Sequence, residues 1–108
     1  MHFTGLSDAT LATVQAILAS CHALETALVY GSRAKGNFKT GSDIDLSLFG
    51  KQLSQHLLND IAEALEELLL PYTIDLCIFD QLNHPELREH IQRVGVVFYR
   101  KPDNRKQE

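Results

Sequence analysis

Asp43-Ile44-Asp45-Leu46-Ser47-Leu48-Phe49 is the stretch that decides how this chain folds. Apolar and polar residues alternate without a break, the period-two signature of a half-buried strand. Ile44, Leu46 and Leu48 belong to one face, and Asp43, Asp45 and Ser47 to the other. The apolar face must be covered by other elements, and the opposite face carries two carboxylates.

Working outward, Gly50 ends the strand and a helical pattern follows from Leu53 to Leu70, with Leu53, Leu57, Leu58, Ile61, Leu65 and Leu68 at helical spacing. Pro71 stops it. Tyr72 to Phe79 reads as another strand, Ile74, Leu76 and Ile78 on one face and Asp75 and Cys77 on the other. Strand, long helix and strand make a right-handed crossover, so the two strands are expected to be parallel neighbours. Upstream, Leu24 to Tyr30 reads as a strand ending at Gly31, and Gly31 to Ser42 as a glycine-rich polar loop. Ser7 caps a first helix running to Ser20, with Leu11, Val14, Ile17 and Leu18 on one side. Near the end, Asn83 is expected to cap a helix from His84 to Arg93, with Pro85 in its first turn and Gly95 at its end. Val96 to Tyr99 then forms a short strand, and residues 101–108 form a polar, frayed tail.

The expected fold class is therefore α/β of the α+β kind: a small mixed β-sheet with helices packed on one face and the other face left as a working surface. All 108 residues are read as a single domain, with a core from about residue 6 to 100. No apolar run approaches the about 20 residues that a membrane span requires. The first residues lack the layout of a secretory leader, and a cytoplasmic protein is expected. Cys21 and Cys77 fall in regular elements and in no C-x-x-C pattern, so both are expected as reduced thiols. The five histidines show no zinc-ligand spacing. With a net charge of −4 and dispersed cations, the chain lacks the basic face that long nucleic acids require. A small nucleotide, whose charge is met by metal ions and a few basic side chains, remains open.

Asp43 and Asp45 lie two apart on one strand face, about 6–7 Å apart at the backbone. With Asp75 facing the same way on the neighbouring strand, three carboxylates converge and at least one pKa must rise. Bound divalent cations relieve that repulsion, and all-oxygen ligation favours Mg²⁺, with Mn²⁺ as a substitute. Two such ions grip the attacking and leaving oxygens of an in-line displacement at phosphorus. On this reading Asp43 and Asp45 hold the nucleotide's metal. Asp75 ligates the second and helps deprotonate an acceptor hydroxyl. Gly31 lets the backbone approach a phosphate, Ser32 adds a hydroxyl donor, and Arg33 or Lys35 neutralises departing pyrophosphate. Each piece alone is common in solvated turns; the case rests on their joint order and strand context.

These residues carry a family resemblance. Gly31-Ser32, ten intervening residues, then Asp43-x-Asp45 and a later strand aspartate, Asp75, resemble the nucleotidyltransferase superfamily of the DNA polymerase β type. Gly31-Ser32-Arg33-Ala34-x-Gly36 and Ser42-Asp43-Ile44-Asp45-Leu46 are similar to the minimal nucleotidyltransferases, and so is the closing stretch from Leu87 to Tyr99. The resemblance implies strands in the order 1-2-3, two Mg²⁺ ions, and transfer of a nucleoside monophosphate from an NTP. It adds Ser42 to the nucleotide-binding residues. It also implies a small, all-helical HEPN-type partner in a toxin–antitoxin module, whose tyrosine hydroxyl receives AMP from ATP.

Larger members of the superfamily it resembles carry an extra helical domain that is not expected here, and burying most of a ligand needs a second wall. A partner protein or a second copy of the chain is therefore expected to complete the site. Two other readings stand beside protein AMPylation: an antitoxin or assembly subunit acting by binding alone, and transfer to a small molecule in the manner of aminoglycoside-modifying enzymes.

Overall fold

The computed structural model describes residues 6–31 and 43–102. Helix α1 spans Asp8–Ala19 and strand β1 Thr26–Tyr30; β2 spans Ile44–Phe49, α2 Gln55–Glu66, β3 Ile74–Ile78, α3 Pro85–Val94 and β4 Val96–Arg100. A single 3₁₀ turn, Phe79–Gln81, links β3 to α3.

The four strands form one sheet in the order β3-β2-β1-β4. β2 and β3 run parallel, joined by α2 as the crossover, while β1 is antiparallel to both β2 and β4. The implied run 1-2-3 is present, and β4 adds a fourth strand beside β1. Alternation in β2 works as the sequence dictates: Ile44, Leu46 and Leu48 are fully buried. They pack with Ala27 and Val29 of β1 against Val14 and Leu18 of α1 and Ile61 and Leu65 of α2. This apolar face is the core, and its burial is the main driving force for folding.

Helix α1 begins where expected, the Ser7 hydroxyl accepting from the Thr10 amide at 3.1 Å. Ser54 caps α2 in the same way through Leu57. Regular helix then stops at Glu66, short of the expected Leu70, because the chain must turn back toward β3; Leu69 makes that turn with φ 54°. At α3 the cap is His84, whose Nδ1 accepts from the Leu87 amide at 3.1 Å, in place of the expected Asn83. Pro85 explains the one-residue difference. Its fixed φ suits it to the first helical position, which makes the residue immediately before it the cap.

The expectation of helices on one face holds for α1 and α2 and fails for α3. That helix reaches the opposite face, where Leu28 and Tyr30 of β1 offer apolar surface beyond the reach of the other two. Gly95 at the end of α3 meets the Leu28 side chain, and His90 meets the Tyr30 ring edge-on at 6.5 Å between centroids. Arg88 anchors the helix to the preceding turn, lying 4.3 Å above the Phe79 ring and donating to the Phe79 carbonyl at 2.8 Å. Phe79 in turn stacks on Phe49 of β2 at 4.6 Å. Cys21 and Cys77 are both free, half-buried thiols. Among the described residues no helix is long and apolar enough to cross a membrane.

Candidate active site

Parallel pairing of β2 with β3 sets Asp45 directly beside Asp75. The same register on the other side sets Tyr30 of β1 opposite Asp45. A row Tyr30–Asp45–Asp75 thus crosses the face of the sheet that α1 and α2 leave open. Asp43 stands two residues before Asp45, at the entrance of β2, and is exposed, as is Asp75, while Asp45 is half-buried.

The electrostatics follow from that placement. The Asp45 carboxyl is held above the ordinary aspartate range, first by burial and then by the charges of Asp75 and Asp43. The repulsion expected of converging carboxylates is therefore present and centred on Asp45. Ion pairs among the described residues, His56–Asp60 and Glu89–Arg93, lie elsewhere. Among the described residues no three His, Cys, Asp or Glu side chains are gathered as a ready metal cage. Asp43, Asp45 and Asp75 thus share a face without closing around one point.

Gly31 meets the acids from β1. Its φ of +82° is in the left-handed region, and a β-carbon built there would lie 2.8 Å from Oδ2 of Asp45. Glycine takes this turn without strain, and any β-carbon there would require the Asp45 carboxylate to shift. Of the other residues expected to bind nucleotide, Ser32, Arg33, Lys35 and Ser42 lie outside the described residues.

The site also contains residues that the sequence reading passed over. The Tyr30 hydroxyl lies 3.8 Å from the Cys77 sulfur, spanning from β1 across β2 to β3. Burial, Cys77, Asp45 and Asp75 together push the Tyr30 phenol far above its usual pKa, so it stays neutral. Ser47, next on the acid face of β2, is fully buried, and its hydroxyl has no hydrogen-bond partner among the described residues. Tyr30 lies in the row of Asp45, and Ser47 and Cys77 pair in the next row of the same face. Alternation could have flagged Tyr30, which shares the parity of Leu28 and immediately precedes Gly31.

A hard divalent cation fits this donor set: carboxylate oxygens only, with charges unbalanced by any described basic side chain. Asp43, Asp45 and Asp75 are the residues that would hold it.

A mixed four-stranded sheet with a glycine turn facing paired strand aspartates defines a polymerase β-like nucleotidyltransferase fold. Residues 12–104 match the family described as "Polymerase beta, Nucleotidyltransferase", and the chain belongs to that family of enzymes. It is 35% identical over 92 residues to a probable protein adenylyltransferase MntA of Haemophilus influenzae, covering 84% of this chain and 80% of the relative. That likeness bears out the resemblance to minimal nucleotidyltransferases. Among solved structures, a toxin–antitoxin with AMP-PNP superposes with a TM-score of 0.67 at 16% identity, covering 94% of this chain and 79% of the other. The MntA–HepT toxin–antitoxin gives 0.65 at 15% identity, over 88% and 74%. At such identities these two structures speak for the fold alone.

Proposed function

We propose that this chain is a Mg²⁺-dependent nucleotidyltransferase that moves AMP from ATP to a hydroxyl on a small all-helical, HEPN-type partner, as the catalytic antitoxin of a two-component module in the cytoplasm. The observation that carries it is the in-register pair Asp45–Asp75, with Gly31 leaving room for the Asp45 carboxylate. The similarity to a protein adenylyltransferase supports AMP and a protein acceptor, and the toxin–antitoxin neighbours support the paired arrangement.

Bound Mg²⁺ supplies charge neutralisation and polarisation at phosphorus. Asp43 and Asp45 serve as the carboxylates on the nucleotide side, and Asp75 as the carboxylate on the acceptor side. Asp75 takes the proton of the acceptor hydroxyl as its oxygen bonds to the α-phosphorus. The bond from that phosphorus to the bridging oxygen breaks, and pyrophosphate leaves with the electron pair. Ser32, Ser42, Arg33 and Lys35 are assigned to the phosphates, the two cations offsetting charge on the leaving group.

A second reading, neutralisation by contact alone, draws on the open spacing of the three acids. Replacing Asp43 and Asp45 together by Asn separates the two. Catalysis requires that the double variant lose neutralisation of the toxin while still binding it. Neutralisation that survives unchanged makes contact sufficient.

A further inference from the structure

We propose that the groove between α2 and the edge strand β3, rimmed by Leu69, docks a cationic segment of the partner protein through one apolar anchor; this rests on the two-component reading above. Leu69 follows the end of α2 with φ 54°, a conformation that costs a side-chain-bearing residue and that glycine adopts freely. It is also 88% exposed, the most exposed large apolar side chain among the described residues. Strain and exposure at one residue bring the isolated chain no packing in return. Beside Leu69 lies a groove of about 250 Å³ walled by Ala62, Leu65, Leu70, Tyr72 and Ile74, with Glu66 at its lip. That volume receives an aliphatic or aromatic side chain.

Charge selects the occupant. Glu63 and Glu66 in the last turn of α2 and Glu67 just after it are all exposed, and no Lys or Arg occurs between Lys51 and Arg88. Such a surface repels phosphate polymers and anionic membranes and attracts a basic polypeptide. A second copy of this chain fits less well, because three of its described basic side chains, Arg88, Arg93 and Lys101, are engaged within the chain on Phe79, Glu89 and His22, and its net charge is −4. Position completes the argument. Ile74 in the groove wall immediately precedes Asp75 and pairs with Ile44, which lies between Asp43 and Asp45. A segment seated in the groove therefore lies around one strand edge from the acids, where a macromolecular acceptor is needed.

The test is calorimetric titration of the all-helical partner into the wild-type chain, Leu69→Gly, Glu63→Lys/Glu66→Lys and the remote control Val97→Ser. Leu69→Gly should melt no lower than wild type, because glycine relieves the turn, yet bind at least ten-fold more weakly. The double charge reversal should weaken binding and reduce its dependence on salt, and Val97→Ser should bind as wild type does. Leu69→Gly binding within two-fold of wild type, with AMP transfer to the partner intact, overturns the docking site alone. A wild-type chain that does not bind the partner overturns the two-component reading and this site with it.

Discussion

Gly31 and Asp45 are locked together: the first has no side chain, and the second places a carboxylate oxygen 2.8 Å from where a β-carbon would begin. The residue that follows β1 and the second residue of β2 are thereby one unit. Gly31→Ala should cost about 1 kcal/mol in urea unfolding from the positive φ alone. The Asp45 carboxylate must also move, so nucleotide transfer should fall at least about ten-fold. An alanine variant with wild-type stability and rate would show that the clearance is unimportant.

Asp45→Asn separates stability from activity. The folded-state pKa of Asp45 is raised, so its ionised form is disfavoured by folding. That penalty is absent below the ordinary aspartate pKa, grows as pH rises through the folded value, and is complete above it. The Asn variant should therefore be at least as stable as wild type at neutral pH, with the difference shrinking under acid. Transfer should meanwhile fall by at least about a hundred-fold. Melting curves across pH check the first part and initial rates the second.

Mg²⁺ should raise the melting temperature of the wild-type chain by binding among Asp43, Asp45 and Asp75. At a hundred-fold excess over its Kd the stabilisation is about 2.7 kcal/mol, a shift of several degrees. Asp45→Asn should lose most of that shift. An equal shift in both proteins would place the ion elsewhere.

Ser47→Ala tests the buried hydroxyl two residues beyond Asp45 on β2. A buried hydroxyl without a partner costs stability, so alanine should gain about 1 kcal/mol in chemical unfolding. A loss of that size would mean that the hydroxyl is satisfied in solution.

Much of this arrangement is legible in the residues. The alternation in Asp43–Phe49 and Tyr72–Phe79 places Asp45 and Asp75 on one face, and the crossover length makes their strands parallel. The position of helix α3 is not legible there, because it depends on Leu28 and Tyr30, whose place on the second face is a property of the whole sheet. The His84 cap turned on a single residue of register beside Pro85. Tyr30 over Cys77 is a contact across 47 residues of sequence, which periodicity within one element cannot reveal. Leu69 reads as one more leucine of a helical stripe, and only the turn at the end of α2 brings it out into solvent.

The central claim is that the Asp43, Asp45 and Asp75 face transfers AMP to a partner hydroxyl. Its most direct test is the intact mass of the all-helical partner after incubation with this chain, ATP and Mg²⁺. The account predicts an AMP-sized increase on the partner that vanishes with EDTA and with the Asp43→Asn/Asp45→Asn chain. No increase with any nucleoside triphosphate, or an increase that survives the double substitution, would contradict it.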